Sequence, residues 1–101
     1  MKIRILPAAL DDLDRGRRFY ARQQAGLGEY FLDSLFSDID SLALYAGMHL
    51  RVFGFHRLLS RRFPFAVYYR LEDEICTVWR VLDCRQAPRS LGRALAPDQS
   101  T

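Results

Sequence analysis

The sequence predicts an α+β domain: a short N-terminal strand and a helical hairpin packed on one face of a small antiparallel sheet, in the order β-α-α-β-β-β. Two observations carry that prediction. Phe31, Leu32, Leu35, Phe36, Ile39, Leu42 and Ala43 recur at three- and four-residue spacing, which makes one broad apolar stripe on a helix. The stretch Val52 to Arg85 then reads as three strand-like runs divided by two turn signals. Connections so short make neighbouring strands antiparallel. A helical hairpin with an apolar stripe needs a surface to cover it, and the sheet supplies one.

Taken in order, Ile3, Ile5 and Leu6 make a short strand over Met1–Leu6 that ends at Pro7. Proline suits the first turn of a helix, and Ala8–Asp14 adds helix formers with acids early, where the macrodipole favours them. Leu10, Leu13 and then Phe19 or Tyr20 mark its apolar side. Gly16 weakens that helix by about 1 kcal/mol relative to alanine. Arg15, Arg17, Arg18 and Arg22 lie toward its end, where the dipole favours cations, and read first as a solvated face. Gly26 and Gly28 punctuate a turn, and a second helix runs from about Glu29 to Tyr45, stopped by Gly47.

Met48–Arg51 is a connector to which no element is assigned. The first strand of the meander is Val52–Ser60, closed by Arg61-Arg62-Phe63-Pro64; the second is Phe65–Leu71; the tip Glu72-Asp73-Glu74 leads into the third, Ile75–Cys84. Strict alternation puts Ile75, Thr77, Trp79 and Val81 on one face and Cys76, Val78, Arg80 and Leu82 on the other. Both faces are apolar enough to be partly covered. One should pack on the helices and the other should be a shallow contact surface of aromatics and arginines. After Pro88 a short helix over Ser90–Leu95 is expected. The single domain spans 1–96, and Pro97-Asp98-Gln99-Ser100-Thr101 should be frayed.

Charge is divided along the chain. Residues 1–46 carry six Lys/Arg against seven Asp/Glu, a balance of −1, whereas residues 47–101 carry nine arginines against five acids, a balance of +4. Fourteen of the fifteen basic residues are arginine, which favours planar, bidentate contact with carboxylate or phosphate. Cys76 and Cys84 sit eight positions apart on one predicted strand, about 26 Å at the usual rise, too far to bridge. Both are expected to be reduced and packed as small hydrophobes, in keeping with a cytoplasmic protein. Pro7 and Asp11-Asp12 interrupt any apolar run after Lys2 and Arg4, so neither a signal peptide nor membrane association is expected.

His49, His56, Cys76 and Cys84 lack the spacing of a zinc site, and Gly26-Leu27-Gly28 is a helix–helix turn rather than a phosphate loop. No metal and no cofactor is expected. Arg57, Arg61, Arg62, Arg80 and Arg85 come from three parts of one small sheet. Converging, they would hold a phosphate backbone, stabilise charge during RNA cleavage, or hold an acidic protein. Against that stands a plain surface in which some of them pair with Glu72, Asp73, Glu74 and Asp83.

The residues also carry a resemblance. Ala9-Leu10-Asp11-Asp12-Leu13 with Phe19-Tyr20, then Gly26-Leu27-Gly28 with Phe31, resemble the opening of the ParE/RelE toxin superfamily of type II toxin–antitoxin systems. More specific are Gly54-Phe55-His56-Arg57, the run Arg62-Phe63-Pro64-Phe65-Ala66-Val67-Tyr68-Tyr69, and Val78 to Val81-Leu82-Asp83 with Arg85 and Pro88, which resemble the ParE branch. The resemblance covers nearly the whole chain and implies a toxin of a plasmid-stabilization type, neutralised by a cognate antitoxin. It further implies growth inhibition through contact with DNA gyrase rather than chemistry of its own. It singles out Arg57 and Arg85, which stand at family positions; with His56, Arg61, Arg62 and Arg80 they are the target- or antitoxin-binding candidates. His56 stands where the family has a first arginine, Asp83 where it has a histidine, and Gln86 where it has a second arginine. RelE-type ribonucleases resemble this fold but use sheet lysines and a C-terminal tyrosine. Here the one lysine is Lys2 and no tyrosine follows Tyr69. Ribosome-dependent mRNA cleavage, with ribosome and mRNA as partners, is therefore the alternative, along with an inactive relative that only binds antitoxin. A homodimer is left open.

Overall fold

Leu6 leaves the first strand in extended backbone, and Pro7 opens the first helix where its missing N–H has no intrahelical partner to lose. The computed structural model describes residues 1–96 and runs β1 (Lys2–Ile5), α1 (Pro7–Gln23), α2 (Leu27–Asp40), α3 (Leu42–Tyr45), β2 (Arg51–Val52), β3 (Phe55–Leu59), β4 (Phe65–Glu72), β5 (Ile75–Asp83) and α4 (Pro88–Leu95). The frayed tail expected at 97–101 lies outside the described residues.

Gly28 at the start of α2 and Gly16 in the middle of α1 are packing sites. A Cβ on Gly28 would stand 2.6 Å from the Arg17 carbonyl oxygen, and one on Gly16 would stand 2.5 Å from two ring atoms of Phe31. α1 and α2 therefore approach more closely than any side chain at these positions would permit. The apolar stripe of the second helix is buried as expected, with Phe31, Leu35, Ile39 and Leu42 in the core. The helix is nevertheless shorter than its stripe. α2 stops at Asp40, where the Ser41 hydroxyl donates to the Asp38 carbonyl (2.6 Å), and α3 makes a separate turn to Tyr45. A serine bonded to its own preceding turn competes with continuation of the helix.

The sheet order is β1-β5-β4-β3-β2. The meander is antiparallel throughout, as the short connections require. β1 adds to it parallel to β5, with Ile3 opposite Cys76 and Ile5 opposite Val78, so the five-stranded sheet is mixed. The helical hairpin between them is long enough for the crossover that parallel strands need. The expected strand Val52–Ser60 is corrected to two. Phe53 (φ 56°) and Gly54 (φ 81°) form a left-handed two-residue turn that folds β2 back on β3. Asp73 (φ 51°) and Glu74 (φ 62°) do the same between β4 and β5.

β4 keeps its alternation. Phe65, Val67 and Tyr69 pack with the helical hairpin on the inner face, while Ala66 and Tyr68 enter a second apolar cluster on the outer face. β5 does not. A register shift opposite Tyr68 and Tyr69 puts Cys76, Val78 and Val81 together on the inner face and Trp79 with Leu82 on the outer. A bulge of one residue exchanges the faces beyond it, and strict period two cannot anticipate that. The outer face is not left open either. α4 lays Leu91 and Leu95 on Phe55, Tyr68 and Leu82, so the expected shallow surface is partly roofed. Cys76 is buried as expected, and burial pushes its thiol up to about 11. Cys84, one residue beyond β5, is exposed instead of packed.

Candidate functional site

The sheet distributes the six candidate side chains over three places. Arg57 and Arg80 share a cross-strand row with Tyr68 between them, since Arg57 lies opposite Tyr68 and Tyr68 opposite Arg80. Tyr68 is buried, which raises its hydroxyl pKa; the guanidinium of Arg57 beside it offsets part of that rise. Arg61 and Arg62 are exposed on the β3–β4 loop, Arg62 with its guanidinium 5.9 Å from the Tyr30 ring centre. Arg85 follows β5 at the same end of the sheet, because the Cys84 N–H donates to the Pro64 carbonyl (2.8 Å). His56 turns to the inner face, stacked on Tyr69 at 5.1 Å, with Nδ1 2.9 Å from the His49 carbonyl oxygen.

Two of these arginines are already engaged. Arg80 forms a bidentate pair with Asp12 of α1 (Nε–Oδ2 2.7 Å, Nη2–Oδ1 2.8 Å) and donates through Nη1 to the Ala94 carbonyl of α4 (2.9 Å). Its guanidinium pKa is raised first by the Asp12 hydrogen bonds, against the opposing effect of burial. Arg80 thus ties both helical layers to the sheet, and its polar head is consumed by the fold. Arg85 pairs with Asp83 (Nη2–Oδ2 2.6 Å, Nε–Oδ1 2.9 Å), and those bonds hold the Asp83 carboxyl below its ordinary range. That pair is largely exposed, so a strong acidic partner can compete for the guanidinium. The arginines of the sheet therefore form two sets, an outer-face row and a loop end, rather than one convergent cluster.

The structure adds a residue that sequence reasoning passed over. The guanidinium of Arg70 lies 4.4 Å from the Phe55 ring centre and 5.0 Å from that of Trp79, held between two aromatic faces. Each such contact is worth about 0.5–1 kcal/mol at a partly exposed site. The signal was an arginine on a middle strand flanked by aromatics on both neighbours, legible only once the register is known. Asp12 was also passed over, because an acid in the first half of a helix reads as a dipole partner. The outer face is thus a band of Arg57, Arg70, Tyr68, Phe55 and Trp79 beside α4, suited to holding carboxylates and apolar side chains together. Among the described residues no group of three potential metal ligands occurs, and no helix is long and apolar enough to cross a membrane.

His49 sets a pH dependence. The Tyr69 hydroxyl accepts from the Gly47 N–H (2.9 Å) and shares a hydrogen bond of 2.5 Å with His49 Nδ1. Burial, and then the neighbouring His56, hold the His49 pKa below its ordinary value. A group whose folded pKa is depressed is bound to more protons when unfolded, so its contribution is whole above about pH 6.5 and declines as pH falls below that. Urea midpoints measured from pH 7.5 to pH 5 should fall for the wild type and fall less for His49→Gln. Equal slopes would show that His49 does not carry the dependence.

The chain belongs to the ParE toxin family: the family described as ParE toxin of type II toxin-antitoxin system, parDE, matches residues 3–88. Among solved structures it is similar to one titled "Chromosomal ParDE TA system from P. aeruginosa", at a TM-score of 0.67 and 19% identity, covering 80% of this chain and 92% of that one. At that identity the likeness is one of fold. No curated protein matches the chain.

Proposed function

We propose that this ParE-family toxin inhibits growth from the cytoplasm by a protein–protein contact with DNA gyrase, and that a cognate antitoxin neutralises it by covering the same basic surface. The observation that carries the reading is the outer-face band, where Arg57 and Arg70 stand among Tyr68, Phe55 and Trp79. Guanidinium groups seated beside aromatic faces keep their donors for a partner while their stems are packed, which is the composition of a protein-binding surface. The site needs no chemistry of its own to act.

Induction in bacteria, followed by parallel assays of plasmid supercoiling and mRNA integrity, tests the reading. Supercoiling should fail first and mRNA should stay whole. Arg57→Ala and Arg85→Ala should each abolish the inhibition while their unfolding midpoints stay near wild type, because both side chains reach solvent. Cleaved mRNA before any loss of supercoiling would replace this reading with the ribosome-dependent endonuclease. Full toxicity of both variants would remove Arg57 and Arg85 from the contact.

A further inference from the structure

We infer that Asp83 is a built-in competitor for Arg85: it occupies the guanidinium edge that a target's carboxylate would take, and so holds down the strength of the toxin's contact. The inference rests on the proposed reading for the part Arg85 plays in that contact, and adds a residue of this chain that regulates it.

Local chemistry brings the two side chains together. β5 ends at Asp83, where the Gln86 N–H donates to the Asp83 carbonyl (3.3 Å) and closes a turn. Aspartate suits the first position of a turn, because its carboxylate can accept from the backbone N–H two residues on. Here Oδ1 accepts from the Arg85 N–H (2.8 Å). The carboxylate is thereby fixed to the backbone, with 27% of the side chain exposed. The Arg85 side chain folds back onto it. Nε lies 2.9 Å from Oδ1 and 3.2 Å from Oδ2, and Nη2 lies 2.6 Å from Oδ2. The same bonds raise the Arg85 pKa, with a smaller contribution from Tyr20.

This pair differs in kind from the other engaged arginine. Arg80 and Asp12 join α1, β5 and α4, so their bonds serve the fold. Asp83 and Arg85 belong to one turn, their ion pair ties no second element to the sheet, and the Arg85 side chain is 60% exposed. Arg61 and Arg62, on the loop that meets the same end of the sheet, form no ion pair among the described residues. Of these three arginines, Arg85 alone is guarded.

The guanidinium geometry sets the consequence. Of its five N–H groups, Asp83 takes those on the edge formed by Nε and Nη2. A target's carboxylate then has two ways in. Displacing Asp83, it must break one bidentate pair to make another. Approaching the remaining edge, between Nη1 and Nη2, it shares one positive charge with a carboxylate already in place, and the two like charges repel. Both routes give a weaker contact than an uncommitted arginine would. Ordering of the Arg85 side chain acts in the opposite sense, since an immobilised group loses less freedom on binding. That gain belongs only to the second route, where repulsion from Asp83 opposes it.

The test measures half-inhibitory concentrations against purified gyrase for the wild type, Asp83→Asn, Asp83→Ala, Arg85→Ala and the double variant Asp83→Asn with Arg85→Ala. Asparagine keeps an acceptor for the Arg85 N–H, so the turn stays while the charge goes. Asp83→Asn and Asp83→Ala should each inhibit at a concentration lower by about threefold or more, the scale of an exposed ion pair. The double variant should be no stronger than Arg85→Ala. A damaged fold lowers potency, so a gain cannot come from one. Unchanged or weaker inhibition by Asp83→Asn would make Asp83 a turn former or an orienting group and overturn the inference. A gain that survives the loss of Arg85 would overturn it too. A second readout leaves gyrase out: the Arg85 Nε–H resonance of isotope-labelled protein is followed as inorganic phosphate is added. Half-saturation should come at a phosphate concentration lower by about threefold or more in Asp83→Asn, on the same scale; equal titrations overturn the inference. A wild type that leaves gyrase active, with phosphate titrations that differ as expected, loses the gyrase reading and keeps the competition at Arg85.

Discussion

Asp12→Ala is expected to destabilise the protein by about 3–5 kcal/mol, the usual consequence of removing one partner from a buried ion pair. The carboxylate is 4% exposed and accepts three hydrogen bonds: two from the Arg80 guanidinium and one from the Val81 N–H (2.9 Å). β1 pairs with β5 only as far as Val78, so beyond that point Asp12 takes the place of a neighbouring strand for the β5 edge. The alanine variant leaves a part-buried guanidinium with only its Ala94 bond and no counter-charge from Asp12, and the Val81 N–H without its acceptor. For a domain of this size the loss corresponds to a fall in Tm of about 15–25 °C. Asp12→Asn should lie between, since its amide oxygen can still accept from Val81 while the charge pairing is gone. A paired change, Asp12→Leu with Arg80→Met, should recover much of the loss, because apolar replacement of both partners leaves no orphaned charge. Thermal and urea unfolding of the four proteins measures this. A loss below about 1 kcal/mol in Asp12→Ala would place the pair among ordinary surface bridges.

The second large effect is expected from Gly28→Ala. In most helices that change raises stability by about 1 kcal/mol. Here the added Cβ would meet the Arg17 carbonyl oxygen at 2.6 Å, and a backbone atom cannot rotate away as the end of a side chain can. The Ala21 Cβ at 3.0 Å closes the other direction. α1 and α2 must move apart, which opens the contact around Phe31 and Tyr20 that holds the hairpin to the sheet. A net loss of about 1–3 kcal/mol follows from overpacking of this kind. Gly16→Ala should behave likewise, since its Cβ would press on the fully buried Phe31 ring. Unfolding measurements on both variants, with Gly26→Ala as a turn-position comparison, separate packing from propensity. Gly26 has nothing within 4 Å of an added Cβ but has a φ of 82°, so its loss would come from backbone strain alone. Stabilisation in Gly28→Ala would show that the helices have room to spare.

The sequence by itself determined the leading strand, the helical hairpin, the antiparallel meander and the membership that follows from them. Each of those rests on local chemistry: the stripe from Phe31 to Leu42, the prolines at Pro7 and Pro88, and the turn signals around Pro64 and Asp73. It also determined where the positive charge lies, since charge balance along the chain needs no coordinates. Tertiary structure alone decided the phase of β5, because one bulged residue moves Val81 to the inner face and no periodicity records a bulge. It decided the fates of the arginines for a related reason. Arg80 and Arg70 look alike in the chain, yet a buried carboxylate 68 positions earlier claims the first, and two aromatic rings on neighbouring strands hold the second. Which charged group is spent inside the fold and which is offered to a partner depends on contacts between segments far apart in sequence. Such contacts come into being only when the sheet sets its register and the helices close over it.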